Sequence, residues 1–356
     1  MFKNIYFVTY GSLRYFLSII EPGKSNLIVM QDFEPLKQFL SEILPDETLI
    51  TSKAIESGRI SMNSKKRFLQ RMLDILICRF QIPEPLKDIS PQAKVFFFLE
   101  VGLSFFIIFK YLQKKGALFN FVDPGHPIKR KHKIPRSRLP KALQFELWFL
   151  ELLSGVQLEW FEVPHKKKPT ILGLKNHFDP IKVSPMSWSE ISRKHNWCFG
   201  IDTKNAALFI DCSLQEIQGI DAKCSQQNLV DFCSKLIDKG MTIHIKCHQG
   251  FPLNSFFGTA LEHKIEILPT YFPVELIMDH YNEVYGIISS SLAYPINGKK
   301  FSLAKLLVFN SEEKMEVFKR AYNATCGKDV EMVSPDECPS QLNQRWYATG
   351  CFGNET

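Results

Sequence analysis

The order in which short apolar runs alternate with longer segments of helical period limits this chain to a few architectures. The runs NIYFVTY (4–10), NLIVM (26–30), LFNFV (118–122) and TILGL (170–174) have strand length and composition, whereas 65–80, 92–113 and 140–153 repeat apolar residues at helical spacing. Strands that alternate with helices pair in parallel, because each helix carries the chain back across the sheet, and such a sheet is covered on both faces. A polar stretch, KNHFDPIKVSPMSWSEISRKHNW (175–197), interrupts the pattern with two prolines and reads as a linker. The alternation then restarts with strand 205–211, helix 226–239, strands 241–247 and 264–269, helix 273–281, strand 283–288, and helices near 300–306 and 312–323. The expected class is α/β, in two doubly wound Rossmann-like halves at 1–190 and 191–356. A chain of 356 residues that is 45% hydrophobic is long enough to bury two such cores.

Charge and cysteine content narrow the partners. The net charge of +7 is concentrated in PIKRKHKIPRSRLPK (127–141), which contains no carboxylate. Two readings are open for it: a solvated loop, or a surface for an anionic partner such as an acidic sugar polymer or an anionic membrane. No zinc-finger spacing or aromatic RNA-binding motif accompanies the run, so nucleic acid is not an expected partner. The nine cysteines form no CxxC pair and are odd in number, a pattern of reduced thiols that fits a cytoplasmic protein. No metal-ligand cluster stands out, and no metal is expected.

The first 20 residues lack the uninterrupted apolar region and cleavage site of a signal peptide, and read as a first strand and turn. VFFFLEVGLSFFIIF (95–109) has 15 residues and includes Glu100. It falls short of the roughly 20 needed to span a bilayer. It reads as a buried helix, with peripheral contact at the inner membrane left open by its phenylalanines. The tail 334–356 has no assignable pattern.

The second half carries the chemistry. In open α/β sheets ligands bind beyond the carboxyl ends of the strands, where strand order reverses. In IKCHQGFPLN (245–254), Lys246 and His248 follow one strand end; Glu275 begins the segment after the next strand, and Ser289, Ser290 and Ser291 follow the strand after that. A serine turn offers hydroxyls and backbone N–H groups to a phosphate, a glutamate accepts ribose hydroxyls, and an imidazole bonds or protonates a phosphate oxygen. Each residue also has a structural reading: a satisfied histidine at a strand end, a first-turn carboxylate, and helix-capping serines.

At these residues the sequence resembles the bacterial sialyltransferases of GT-B fold, both the lipooligosaccharide and the capsular polysialyltransferase types. KCHQ (246–249), FPVEL (272–276) and VYGIISSSL (284–292) are similar to that family's Lys-His-Pro, P-x-E and Ser-Ser motifs. The spacing is similar as well, with 27 residues from His248 to Glu275 and 14 from Glu275 to Ser289. IYFVTYGSLRYFLSII is similar to the family's first strand and turn. The resemblance implies two facing domains with a cleft between them and CMP-sialic acid as donor substrate, with no cofactor. It also implies a glycan acceptor, with inverting, metal-independent transfer. By resemblance His248 contacts the CMP phosphate and assists its departure, Glu275 holds the ribose, Ser289 and Ser290 bind phosphate with Ser291 as alternate, and Lys246 belongs to the same site. The family's acidic motif has its nearest match in FVDPG (121–125), which makes Asp123 the base candidate, with a turn-forming Asp-Pro-Gly as the other reading. Gln249 stands where the family has proline, and Pro124 stands where it has a second carboxylate. A non-catalytic nucleotide- or glycan-binding protein, and a glycosyltransferase for a different nucleotide sugar, are the competing readings.

Overall fold

The computed structural model describes residues 1–52, 82–98, 105–123, 132–133, 135–139, 141–154, 157–162, 170–174, 181–212, 217–247, 265–326 and 330–333. The chain divides into two compact units, Met1–Trp197 and Cys198–Thr356.

In the first unit the chain forms β1 (Phe2–Val8), α1 (Leu13–Ile19), β2 (Asn26–Gln31), α2 (Glu34–Ile43), β3 (Thr48–Ser52) and β4 (Ile89–Phe98). It continues through α3 (Phe105–Lys114), β5 (Leu118–Asp123), β6 (His132–Lys133), α4 (Lys141–Ser154), β7 (Leu158–Glu162), β8 (Thr170–Leu174), β9 (Ile181–Lys182) and α5 (Trp188–Lys194). A parallel six-stranded sheet has the order β3-β2-β1-β4-β5-β9. One of its faces buries Ile5, Phe7, Val29, Val95 and Phe97 against Ile108, Phe109 and Leu112 of α3 and Leu147 of α4.

The second unit repeats the plan with β10 (Ala206–Ile210), α6 (Ala222–Asp238), β11 (Thr242–Lys246), β12 (Ile265–Leu268), β13 (Glu283–Gly286), β14 (Lys299–Ser302), α7 (Glu312–Thr325) and β15 (Glu331–Met332). The strand order is β12-β11-β10-β13-β14-β15, again parallel throughout. Each sheet is therefore wound outward from its first strand, and both have the doubly wound α/β topology that the alternation predicts.

Aromatic side chains fix the pairing register. Tyr6 stacks on its cross-strand partner Phe96 at 4.8 Å, and Tyr285 stacks between its partners Phe209 and Phe301 at 4.9 and 5.0 Å. A slip of one residue would turn these rings to the opposite face, so each row contributes to specificity as well as to packing.

Several expectations are corrected. Residues 89–98 form β4, where a helix was expected over 92–113 and a buried helix over 95–109. Burial does alternate along Ala93–Phe97, but the outward position 96 is a phenylalanine, so the apolar run VFFF carries no polar residue to mark the strand period and looks like a helix. The stretch 175–197 contains β9 and α5, and is no free linker. Ser187 and Glu190 form a reciprocal capping box at the start of α5. Arg14 Nε donates to Met186 O at 2.8 Å and Lys194 Nζ to Ser18 O at 2.8 Å, which tie α5 to α1. The expected boundary at 190/191 falls inside α5. Residues 170–174 pair in a small antiparallel sheet, β6-β7-β8, outside the parallel one. Two single turns, Val274–Leu276 and Met278–His280, stand where a helix was expected over 273–281, and β14 followed by the turn Ala304–Leu306 replaces a helix near 300–306. The helix expected at 65–80 and the tail 334–356 lie outside the described residues.

Candidate functional site

The sheet of the second unit presents a level rim. Leu268, Lys246, Ile210, Gly286 and Ser302 are successive register partners across β12, β11, β10, β13 and β14, so their carboxyl-terminal loops leave from one line. Strand order reverses at β10, which pairs with both β11 and β13. The switch point therefore lies between the loop after β10 and the serine turn after β13.

Lys246 ends β11 with only 3% of its surface exposed, and its ammonium lies 4.8 Å from the centre of the Phe272 ring. Burial pushes its pKa down to about 8, against smaller opposing pulls from Cys247 and the Glu275 carboxylate. Among the described residues no carboxylate forms an ion pair with it within 4.0 Å. An ammonium held in this way is stabilised only in part by the aromatic face, and an incoming anion would complete its environment.

Glu275 lies in the turn Val274–Leu276, whose Pro273 and Phe272 are buried. Its Oε1 accepts a hydrogen bond from Ser291 Oγ at 2.7 Å. Ser291 N–H in turn donates to Ser289 Oγ at 3.2 Å, and the backbone N–H of Ser289 donates to Cys326 Sγ at 3.4 Å. The short turn Ser290–Ala293 is thus capped by Ser289 and anchored at both ends. On its far side the buried Lys300 donates to Leu292 O at 2.9 Å and to Tyr294 O at 3.0 Å. Gly286 makes room for this arrangement. A Cβ there would meet Leu292 Cδ1 at 3.2 Å, closer than side chains normally pack.

The structure therefore brings Lys246, Glu275, Ser289 and Ser291 to one end of one sheet, with the exposed Ser290 on the same turn. Ser291, the alternate in the sequence reading, is the serine that touches Glu275, while Ser289 serves as the cap. Asp123 is the last residue of β5, at the carboxyl end of the first unit's sheet, in register with Lys182. His248 lies outside the described residues.

Sequence reasoning missed His244. This buried residue shares the face of β11 with Lys246, its Nδ1 lies 2.8 Å from Tyr281 Oη, and its Nε2 is 3.3 Å from Glu266 Oε2. Burial lowers its pKa and Glu266 opposes that shift. The signal is in TIHIK, where Thr, His and Lys alternate with two isoleucines, the pattern of a strand with one polar face. Burial pushes the neighbouring Cys247 thiol up to about 11, with Asp211 adding to the shift, which leaves it a poor nucleophile at neutral pH. Among the described residues no group of three or more His, Cys, Asp and Glu is placed to hold a metal ion, and no helix is long and apolar enough to cross a membrane.

No protein-family model and no curated protein sequence matches the chain. Solved structures similar to it include CalG4, the calicheamicin glycosyltransferase, at 12% identity and TM-score 0.43 over 94% of this chain and 86% of that one. They also include an α/β-galactoside α-2,3-sialyltransferase from Photobacterium phosphoreum, at 14% identity and TM-score 0.41 over 93% and 98%. A UDP-GlcNAc 2-epimerase from Neisseria meningitidis bound to UDP-GlcNAc is similar at 12% identity and TM-score 0.43 over 94% and 88%.

Proposed function

We propose that this chain is a glycosyltransferase that moves sialic acid from CMP-sialic acid to the hydroxyl of a surface glycan, a lipooligosaccharide or a capsular polysaccharide. The observation that carries this reading is the buried Lys246 at the rim of a parallel sheet, beside a carboxylate and a serine turn at the point where strand order reverses. Transfer requires the bond between the anomeric carbon and the CMP phosphate to break while an acceptor oxygen forms its own bond there. Negative charge collects on the departing phosphate and positive charge on the sugar ring. Lys246, His248 and the serine turn would stabilise the phosphate, Glu275 would accept the ribose hydroxyls, and Asp123 would take the proton of the acceptor hydroxyl. With these groups carrying the charge, turnover needs no metal.

The test is CMP release from CMP-sialic acid by the purified full chain, with and without a lipooligosaccharide or oligosialic acceptor. Acceptor-dependent release supports the reading. His248→Ala should weaken CMP binding by about ten- to a hundredfold, the loss expected for one charge-assisted bond. Asp123→Asn should abolish turnover and leave CMP binding intact. Binding of CMP without turnover toward any acceptor would make the chain a binding protein, and turnover with another nucleotide sugar would replace the donor.

A further inference from the structure

The helix α4 is apolar on two sides. Leu147 turns inward and is buried in the first unit's core beside α3, whereas Phe145, Trp148 and Leu152 are 56%, 53% and 63% exposed. These three follow the exposed Lys141 at i+4, i+7 and i+11, so all four lie along one stripe of the helix. At 1.5 Å per residue the stripe is about 17 Å long. The rings of Phe145 and Trp148 stand 5.7 Å apart and form a continuous aromatic surface. Isolated exposed apolar residues are ordinary, but a helix that buries one apolar face and exposes another has a second medium to meet.

The charge beside the stripe says what that medium is. Arg138 is exposed in the turn just before α4, and Lys141 begins the helix. The sequence leading into them, 127–141, carries seven lysines and arginines and no carboxylate. Glu151, on the neighbouring side of the helix, is paired with Arg136. Tryptophan and phenylalanine with flanking cations match the boundary of an anionic bilayer, where aromatic rings sit at the level of the headgroups and basic side chains pair with lipid phosphates. A soluble acidic polymer engages the cations and its sugar rings can stack on Trp148, but it has no use for the aliphatic Leu152 that completes the stripe.

We infer that α4 is a membrane-docking helix, which seats Phe145, Trp148 and Leu152 at the surface of an anionic lipid bilayer with Arg138 and Lys141 on its headgroups. This holds whether or not the donor is CMP-sialic acid. The test is sedimentation of the full chain with vesicles of phosphatidylcholine alone or with about one-third phosphatidylglycerol, at low and high salt. Binding should require the anionic lipid and fall as salt rises. Phe145→Ser/Trp148→Ser/Leu152→Ser should lower the partition coefficient by about tenfold or more, and Arg138→Ser/Lys141→Ser by several-fold, with CMP binding unchanged in both. Brominated lipid should quench tryptophan fluorescence in the wild type, and Trp148→Phe should lose most of that quenching while still binding, a readout that does not depend on the triple variant folding. Equal partition of the triple-serine variant, or quenching that survives Trp148→Phe, would overturn the inference. So would a wild-type dimer that the triple variant converts to monomer, since the stripe would then belong to a second copy. Vesicle binding that survives the serine substitutions and is abolished by a soluble acidic polysaccharide would assign the surface to acidic polymers.

Discussion

Lys246 has an opposite effect on stability and on binding. Its pKa in the folded chain, about 8, lies below the ordinary lysine value of 10.5 that applies when it is unfolded. Between those values the unfolded chain binds the extra proton, so stability rises with pH across that window and the penalty is fully present below it. The difference corresponds to about 3 kcal/mol. Lys246→Met should therefore be more stable than wild type near neutrality and lose the alkaline rise, which denaturant melts at about pH 7 and about pH 10 compare directly. The same substitution should weaken CMP binding, and in the wild type affinity should fall as pH rises past about 8. Calorimetry near that pH, in buffers of different ionisation enthalpy, should show proton uptake as CMP binds. Equal CMP affinity in wild type and Lys246→Met would remove Lys246 from the site.

Among the elements, the serine turn depends most on long-range support. Lys300 holds its carbonyl end from β14, and Cys326 at the end of α7 meets its amide end. Lys300→Met should keep the aliphatic packing and leave two carbonyls without their ammonium. Hydrogen exchange should speed up across 287–294 while the strands keep their protection, and CMP affinity should fall by about threefold or more, the loss of one ordinary hydrogen bond. The turn itself was legible in the sequence, because consecutive serines after a strand mark a cap or a turn, and Ser289 does cap it. Its anchors were not, since Lys300 and Cys326 sit outside any local pattern and meet the turn only through tertiary packing. The capping box of α5 was readable in SWSE, where a serine precedes a glutamate by three residues, but the surrounding prolines and charges hid it. β4 was unreadable for the opposite reason, since VFFF has no polar position to reveal its period.

For the whole molecule, the repeat of one topology in two units was predicted from the alternation alone, and that is the level at which sequence patterning is strongest. What alternation cannot supply is the residue in contact: Ser291, not Ser289 or Ser290, bonds Glu275, and His244 lies below Lys246 on the same face of the strand. Those pairings depend on register, which the aromatic rows set across strands far apart in sequence. If the second unit alone holds the nucleotide, CMP should raise the hydrogen-exchange protection of β10, β11 and the 287–294 turn and leave β1, β2 and β3 unchanged. Equal protection in both sheets would place part of the nucleotide site in the first unit.

Winding each sheet outward from its first strand also sets a timetable for synthesis. β1 ends at Val8 and its second neighbour, β4, begins only at Ile89; β10 ends at Ile210 and waits until Glu283 for β13. At about 5–20 residues per second, each innermost strand spends roughly 4–16 s on the ribosome with one edge unpaired. Both exposed edges, IYFV and AALFI, are uncharged and rich in strand-forming residues, the composition that pairs readily with other chains. Nascent chains halted with β4 or β13 still inside the ribosome should therefore be held by chaperones far more strongly than chains long enough for that strand to have emerged, and crosslinking on stalled ribosomes would measure the difference.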